Sequence, residues 1–334
     1  MDARPRYRKA PTGPYPGPMC PRCAARSVSS VIISEHLTKR YGEKTAVEDL
    51  SFLVRPGVVT GFLGPNGAGK STTMRMLVGL DRPTDGHISV GGQRYSDLPD
   101  PLRHVGVMLD ARAVHPGRTA YHHLLALAQS NNIPRARVHH LLDMVGLGSV
   151  AGRRAGGFSL GMGQRLGVAA ALLGDPEVLV LDEPVNGLDP DGVLWMRRLL
   201  TRLALEGRTV FLSSHLMSEL ALIAEDLVVI GQGKMLASGT VEDVLASAGP
   251  STVRVTTPDA GRLATALQGP GVTVASTEQH RLEVSGRTAA EIGEIASAEG
   301  AILHELSAHG LTLEEAFMTI TQNSVEYNTE GTNR

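Results

Sequence analysis

The chain has 334 residues, a length that corresponds to about two domains, and 42% of its residues are hydrophobic. Its formal net charge of -2 offers no overall basic field for binding nucleic acid or an anionic membrane surface. No apolar stretch reaches the roughly 18 residues that a membrane-spanning helix requires. These values exclude a disordered, fibrous or membrane-embedded chain and favour a globular protein of the cytoplasm.

Residues 1–30 form a proline-rich segment that predicts a disordered leader. An inert extension is favoured over a docking tail for this segment. It contains the two cysteines of the chain, Cys20 and Cys23. A structural zinc site requires two further ligands, and no second cysteine pair or suitably spaced histidine pair follows. We therefore expect a pair of reduced thiols here rather than a metal or redox site.

Short β-rich segments alternate with helical patterns between residues 31 and 245, which predicts a parallel α/β sheet. The predicted strands span residues 31–33, 46–54, 58–63, 178–181, 209–213 and 227–230. Apolar residues recur at helical spacing from Val138, Leu166 and Val193, and packing beside the last of these stripes explains Trp195. Four histidines on helical segments lack metal-ligand spacing and are expected on solvated helix faces: His122, His123, His139 and His140.

Beyond residue 245 the predicted elements follow the order βαββαβ, which is typical of a ferredoxin-like domain. The strands are predicted at 251–255, 272–275, 282–284 and 301–306, and the helices at 260–267 and 289–298. A last helix is predicted to begin at the capping pattern of Thr312 and Glu315, with Leu311, Phe317 and Ile320 as packing residues. We expect a folded unit at 31–245 with a helical subdomain at about 112–170, and an accessory domain at 246–334.

The strongest chemical signal is a phosphate-binding loop that fits the pattern G-x-x-x-x-G-K-[ST] between a predicted strand and a predicted helix. Its residues are Gly64, Pro65, Asn66, Gly67, Ala68, Gly69, Lys70 and Ser71. In such a loop the glycines let successive N–H groups face phosphate oxygens, and the following helix adds its positive N-terminus. Lys70 would contact the β- and γ-phosphates, and the hydroxyl of Ser71 would bind Mg²⁺.

Two adjacent carboxylates form the second signal, because Asp182 and Glu183 directly follow the apolar run 178–181. A buried parallel strand delivers such residues to the edge of the sheet at which ligands bind. Asp182 suits the coordination of Mg²⁺, directly or through water. Glu183 suits the polarisation of an attacking water.

Between these motifs, Ser159 can cap the helix that follows it, which gives a second helix N-terminus suited to phosphate. Five ordered motifs between about residues 31 and 245 together resemble those of the ATP-binding subunits of ABC transporters. They are the phosphate loop, the segment FSLGMGQRL at 158–166, LVLDEP at 179–184, NGLD at 186–189 and SSH at 213–215.

The resemblance implies a P-loop NTPase (RecA-like) α/β core with an antiparallel β subdomain and a helical subdomain. It further implies an ATPase that uses ATP and Mg²⁺, and that drives a separate multi-span membrane permease without binding nucleic acid. Two such subunits, identical or different, would pair head to tail around two ATP molecules. The chain would then lie in the cytoplasm, peripheral to the inner face of the cell membrane through the permease.

Residue roles follow from the same resemblance. Tyr41 matches the aromatic position that stacks on adenine, and the ATP-binding set extends from Gly64 through Thr72. Ser159 and Gly161 of one subunit would close on the γ-phosphate held by the other.

Two further positions match the communicating loops of the family. Asp189 matches the loop that communicates across the dimer, and His215 the residue that contacts the γ-phosphate and holds the water of Glu183. The chain departs from the commonest signature at Leu160, in place of Gly, and at Met162, in place of Gln. The backbone donors survive such changes, so activity is expected to survive as well.

Asp110 marks another departure, since the corresponding run in most ABC ATPases ends in Gln. Its carboxylate could approach Mg²⁺ directly, or it could fall short and act through a bridging water. The alternative is that Asp110 only caps the next turn.

The accessory region at 246–334 narrows the resemblance to bacterial drug-resistance exporters of the daunorubicin type, in which the membrane domain is a separate chain. A structural or regulatory appendage is favoured over a substrate-binding domain for this region. Two other classes of protein fit the sequence less well. A soluble ABC-type ATPase acting on ribosomes or DNA would carry two fused units or a long coiled coil, and this chain has one phosphate loop and no heptads. An unrelated kinase or GTPase leaves 158–166 and His215 unexplained.

Overall fold

The computed structural model describes residues 31–111, 113–249, 252–278 and 280–321. The predictions made for residues 1–30, including Cys20 and Cys23, lie outside the described residues. Within the described ranges, none of the helices combines the length and the apolar character that crossing a bilayer requires.

The described residues form strands that belong to three sheets. The strands are β1 (Ile32–Tyr41), β2 (Lys44–Val54), β3 (Val59–Leu63), β4 (Asp85–Val90), β5 (Val105–Met108), β6 (Val178–Leu181), β7 (Thr209–Ser213), β8 (Asp226–Gly231), β9 (Lys234–Thr240), β10 (Thr252–Thr256), β11 (Thr273–Glu278), β12 (Arg281–Ser285) and β13 (Glu305–His309).

Helices separate most of these strands along the chain. They are α1 (Lys70–Leu77), α2 (Pro101–His104), α3 (Ala120–Ser130), α4 (Arg135–Met144), α5 (Leu160–Ala171), α6 (Pro190–Leu205), α7 (Met217–Leu220), α8 (Val241–Ala248), α9 (Ala260–Leu267), α10 (Ala289–Ala298) and α11 (Leu313–Thr321).

The central sheet has the strand order β5-β6-β7-β3-β8-β9 and is parallel except for β9, which confirms the predicted α/β core. Strands β3, β6, β7 and β8 are buried at every position, as expected for strands covered on both faces. The carboxyl ends of β3, β6 and β7 therefore meet at one edge of the sheet, where ligands bind in open α/β folds.

A three-stranded antiparallel sheet, in the order β2-β1-β4, packs against this core. Phe52 of this sheet contacts two phenylalanines of the central sheet, with ring centroids 5.8 Å from Phe62 and 5.7 Å from Phe211. Aromatic side chains bury a large apolar area, so this trio fixes β1 and β2 beside the edge that carries the site.

The helical region is formed by α3, α4 and α5, whose apolar stripes meet at Leu124, Leu141 and Leu166. The prediction of a solvated face is wrong for His123, which is only 9% exposed. This residue lies three positions after the buried Ala120, on the stripe that α3 turns toward the core, and the helical spacing decides its burial.

The region after residue 251 folds as the predicted βαββαβ unit, with all strands antiparallel in the order β11-β12-β10-β13. Strand β13 begins at Glu305 rather than near residue 301. The reason is that Gly300, with φ of +63°, ends α10, and the N–H of Ala301 then donates to the carbonyl of Ala296 at 2.8 Å. The first residues after the helix thus complete its C-terminal cap instead of joining the sheet.

Helix α11 begins where the capping pattern predicted it, because the side chains of Thr312 and Glu315 exchange hydrogen bonds with each other's backbone N–H groups at 3.2 and 2.8 Å. It packs against α8, α7 and β9. Leu313 and Phe317 lie in the same apolar cluster as Leu220 and Val244. The core of the unit at 31–245 is therefore completed by a helix that follows the sheet of β10–β13 in the sequence.

Candidate nucleotide-binding site

The phosphate loop connects the buried strand β3 to helix α1 through backbone conformations that favour glycine. Gly67 and Gly69 have φ values of +82° and +105°. A Cβ atom on Gly69 would lie 2.6 Å from the carbonyl oxygen of Ala46, and one on Gly64 would lie 2.6 Å from that of Ile230. These close approaches require the absence of a side chain and allow the tight turn in which backbone N–H groups can surround an anion.

Lys70 opens helix α1 and is only 7% exposed. Its Nζ donates to the carbonyl oxygens of Gly64 at 2.6 Å and Pro65 at 3.3 Å, so the ammonium group lies along the loop. Burial lowers the pKa of Lys70, and the charges of Glu183 and Asp182 act in the opposite direction. A bound polyanion would add to the second effect and stabilise the charged amine.

The two carboxylates follow β6, and serine hydroxyls from both sides hold the first of them. The hydroxyl of Ser71 donates to Asp182 Oδ2 at 2.7 Å, and that of Ser213 donates to Asp182 Oδ1. Ser213 also accepts the N–H of Glu183 at 3.0 Å. The ends of β6 and β7 are thereby linked beside the phosphate loop, with hydroxyl and carboxylate oxygens of the type that Mg²⁺ prefers.

Glu183 and His215 are directly paired, a contact that the sequence analysis did not predict. His215 Nδ1 lies 2.7 Å from Glu183 Oε2, and the backbone N–H of His215 donates to the same oxygen at 3.3 Å. Glu183 has φ of +51°, a left-handed conformation that non-glycine residues rarely adopt. Such strain concentrates at functional positions, and here it sets the direction in which the carboxylate leaves the sheet.

The phosphate loop, Lys70 and the two carboxylates border a cavity of about 560 Å³, and His215 is not among the residues that line it. The predicted site residues that line it are Tyr41, Asn66, Gly67, Gly69, Lys70, Ser71, Thr72, Asp110, Asp182 and Glu183. A larger groove of about 830 Å³ runs along β1, β2 and β8, and none of the predicted site residues is among the described residues that line it. The smaller cavity therefore brings together most of the predicted site residues.

Tyr41 stands at the end of β1 with 48% of its surface exposed. Its hydroxyl donates to Asp81 Oδ2 at 3.0 Å, and the same oxygen accepts a hydrogen bond from Arg75 Nε at 2.7 Å. The Nζ of Lys39 lies 4.8 Å from the ring centroid. The ring is therefore anchored at its edge while it borders the cavity, as a stacking residue requires.

Ser159 and Gly161 are not among the residues that line this cavity. Ser159 caps α5 by accepting the N–H of Met162 at 3.2 Å, and Gly161 faces Leu188, since a Cβ on it would lie 3.4 Å from Leu188 Cδ2. Asp189 caps α6 by accepting the N–H of Gly192 at 2.9 Å. Within one chain these residues serve as helix caps and packing surface.

Seven residues that line the cavity had no predicted binding or catalytic role: Lys44, Ala46, Leu109, Ala111, Leu160, Gln164 and Asn186. Ser213 is hydrogen-bonded to both Asp182 and Glu183, and its motif did not predict these contacts. The one available signal was the position of Gln164, an amide beside Arg165 in the otherwise apolar and glycine-containing helix α5, where Gln164 is 5% exposed. Its partners lie about 20 residues away in the sequence, so only the folded chain identifies them.

A glycine-rich loop, a buried lysine and a strand-end carboxylate pair on this sheet define a P-loop NTPase. The ABC transporter family model matches residues 47–186, and the model of a domain of unknown function matches residues 251–314.

Sequence relatives extend the match beyond the family model. The chain is 42% identical over 212 residues to the bacitracin transport ATP-binding protein BcrA of Bacillus licheniformis, which covers 63% of this chain and 69% of that protein. It is 37% identical over 263 residues to the Nod factor export ATP-binding protein I of Burkholderia pseudomallei (strain 1710b), covering 76% and 83%.

A solved structure described as an ATP-binding subunit of an ABC transporter superposes with a TM-score of 0.61 at 27% identity, covering 65% of this chain and 93% of that one. The chain belongs to the ATP-binding proteins of ABC transporters. It is an ATPase that binds ATP, and members of this family act as dimers and with membrane permeases.

Proposed function

We propose that this chain is the ATP-hydrolysing subunit of an exporter that moves an antibiotic-like or other drug compound through a separate multi-span permease. The names of the relatives support export, since one transports bacitracin and another exports Nod factor. The permease would place the chain at the cytoplasmic face of the membrane. The transported compound would contact the permease rather than this chain.

ATP would occupy the cavity with its phosphates against the loop. Backbone N–H groups of the loop and the amine of Lys70 would bind the phosphates, Thr72 would extend this contact into α1, and Tyr41 would stack on adenine. Ser71 and Asp182 offer the oxygen donors that a magnesium ion needs, with Asp110 at the border of the same cavity. When bound there, Mg²⁺ would neutralise charge on the phosphates.

Glu183 would polarise the attacking water, and its contact with His215 carries this proposal. The histidine holds one carboxylate oxygen, which leaves the other to accept a proton from water. His215 would also contact the γ-phosphate, so the presence of that phosphate and the position of the carboxylate would be coupled. Positioning and electrostatics supply most of the catalysis in phosphoryl transfer.

The second half of each site would come from another subunit. Ser159 and Gly161 would close on the γ-phosphate held by the partner's phosphate loop, in a head-to-tail dimer of two copies or of two related chains. The cap that Ser159 forms at the start of α5 supports this arrangement, since a helix N-terminus suits a phosphate. Asp189, at the start of α6, would carry information between the two sites.

Replacing Glu183 with glutamine tests the proposed role. Glu183→Gln should lower the turnover of ATP by about 10² or more, because the amide cannot accept the proton of the attacking water. Binding of ATP should persist, and ATP should stabilise a dimer measurable by light scattering. Glu206→Gln, on the surface after α6, serves as the matched control and should hydrolyse ATP normally. Hydrolysis by Glu183→Gln at the rate of this control would refute the role of Glu183.

Coupling to a permease needs a separate test. A multi-span membrane protein should copurify with the chain, and the pair should lower the sensitivity of cells to the exported compound. Glu183→Gln should abolish that protection while it preserves copurification. Copurification with ribosomes or DNA instead would contradict export.

A further inference from the structure

The backbone of Glu183 needs support that its side chain does not provide. Its left-handed φ of +51° is unfavourable for a residue with a Cβ, and it persists only where neighbouring groups hold it. The hydroxyl of Ser213 holds the N–H side of this residue. The carbonyl side accepts the backbone N–H of Asn186 at 3.2 Å within the turn after β6, and it takes a second donor from another element.

Gln164 supplies that donor from helix α5. Its Nε2 donates to the carbonyl oxygen of Glu183 at 3.2 Å and to that of Asn186 at 3.1 Å. Both amide hydrogens are thus used on the segment that follows β6. The side chain is 5% exposed and borders the nucleotide cavity.

The oxygen atom of the same amide fixes the orientation of the Gln164 side chain. Oε1 of Gln164 is buried, and it has no hydrogen-bond partner within the described part of the chain. A flipped amide would place this oxygen against two carbonyl oxygens, so the assignment of Nε2 follows from the network. A buried acceptor without a partner costs free energy, and the fold retains that cost to keep the donor on Glu183.

The position of Gln164 along α5 links it to Ser159 at the start of the same helix. It lies five residues after Ser159, which is about 7.5 Å along a helix. Ser159 is the cap of α5 and, in the proposed dimer, the contact to the partner's nucleotide. One rigid helix therefore carries a contact to the second ATP at its start and a contact to its own Glu183 farther along.

We propose that Gln164 is a positioning residue that holds the backbone of Glu183 in its active conformation and makes that conformation depend on the position of α5. The inference rests on the proposed function, because it takes Glu183 as the group that polarises water. Binding of the partner's nucleotide to the start of α5 then changes the geometry of the carboxylate through Gln164.

Gln164→Met tests this directly, since methionine has a similar volume and no donor. The turnover number should fall by about 10- to 100-fold, as a small misplacement of a catalytic group causes. The Kd for ATP should remain within about twofold, because the loss is confined to the chemical step. Leu141→Ala, at a fully buried position of helix α4 in the same apolar cluster, is the control for a merely structural effect, and it should lower thermal stability with little change in turnover. Turnover of Gln164→Met within about twofold of the wild type would overturn the proposal.

Gln164→Glu supplies a second readout that packing alone would not change. As a protonated acid the side chain can still donate one hydrogen bond, and as a carboxylate it repels both carbonyl oxygens. The turnover of this variant relative to the wild type should therefore rise as the pH falls from 8 to 6, while the ratio for Gln164→Met stays flat. Equal pH profiles for both variants would overturn the proposal.

A double-mutant cycle separates this inference from the role of Glu183 itself. If Gln164 acts through Glu183, Gln164→Met should cause almost no further loss in a Glu183→Gln background. An undiminished further loss would show that Gln164 acts elsewhere and would overturn the inference alone. Normal hydrolysis by Glu183→Gln would instead refute the role of Glu183, and the inference would fall with it.

Discussion

Gly69→Ala should displace the phosphate loop from strand β2. Gly69 has φ of +105°, and the new Cβ would lie 2.6 Å from the carbonyl oxygen of Ala46 and 3.1 Å from Val47 Cγ2. The first distance is shorter than real Cβ atoms show, and the obstacle is backbone rather than a flexible side chain. Either the loop or β2 must move.

Gly67→Ala provides the matched comparison, because Gly67 has φ of +82° and a Cβ there would meet no atom within 4 Å. Both variants place a Cβ in the left-handed region, at a cost of about 1–2 kcal/mol. Gly69→Ala adds the overlap with Ala46, and overpacking of this kind costs about 1–3 kcal/mol. The difference between the two variants isolates that overlap.

Urea unfolding of both variants without nucleotide measures this difference in stability. Titration with ATP then measures how far each substitution impairs phosphate binding by the loop. Gly69→Ala should be less stable than Gly67→Ala by about 1–3 kcal/mol. Since the loop must shift to relieve the overlap, Gly69→Ala should also bind ATP at least about tenfold more weakly than the wild type. Equal unfolding free energies for the two variants would refute the steric argument.

Three further predictions concern pH, packing and metal. Burial, aided by the charge of Arg118, lowers the pKa of His123 below 6.5, so the free energy of unfolding should decrease as the pH falls through that value. In urea titrations at pH 7 and pH 5, His123→Leu should show a smaller decrease than the wild type. An equal decrease would contradict the role of burial. Phe317→Ala should lower the free energy of unfolding in urea by about 3 kcal/mol, because Phe317 is 7% exposed. Met318, the adjacent residue, is 62% exposed, so Met318→Ala should lower it by less than about 0.5 kcal/mol. Similar losses of stability for the two variants would argue against the packing of α11. Asp110→Gln should retain ATPase activity and shift its Mg²⁺ dependence, and an unchanged Mg²⁺ titration would reduce Asp110 to a loop residue.

The parts of the fold that the sequence predicted are those with local signals. A β-rich run identified strand β3, a continuous apolar run identified strand β6, and the glycine spacing identified the turn that follows β3. The capping pair Thr312 and Glu315 located the start of α11 to the residue. Each of these features depends on neighbours within a few positions.

The remaining features depend on contacts that no local pattern encodes. Gln164 contacts Glu183 across 19 positions, and Ser213 contacts Asp182 across 31. The burial of His123 follows from which face of α3 meets the core, and a paired-histidine pattern does not reveal that face. The same limit applies to Ser159 and Gly161, whose proposed ligand belongs to another subunit.

The return of α11 to the apolar cluster of Leu220 and Val244 has a consequence for how the chain acquires its fold. Almost a hundred residues separate Leu220 from Phe317, and closing so long a loop gains nothing until its ends meet. Strands β10–β13 have their own core, so their early formation shortens the flexible chain that must close between Leu220 and Phe317. The cluster around Leu220 consequently closes late and exposes apolar surface during synthesis, a stage at which chaperones have a binding surface and aggregation has an opportunity.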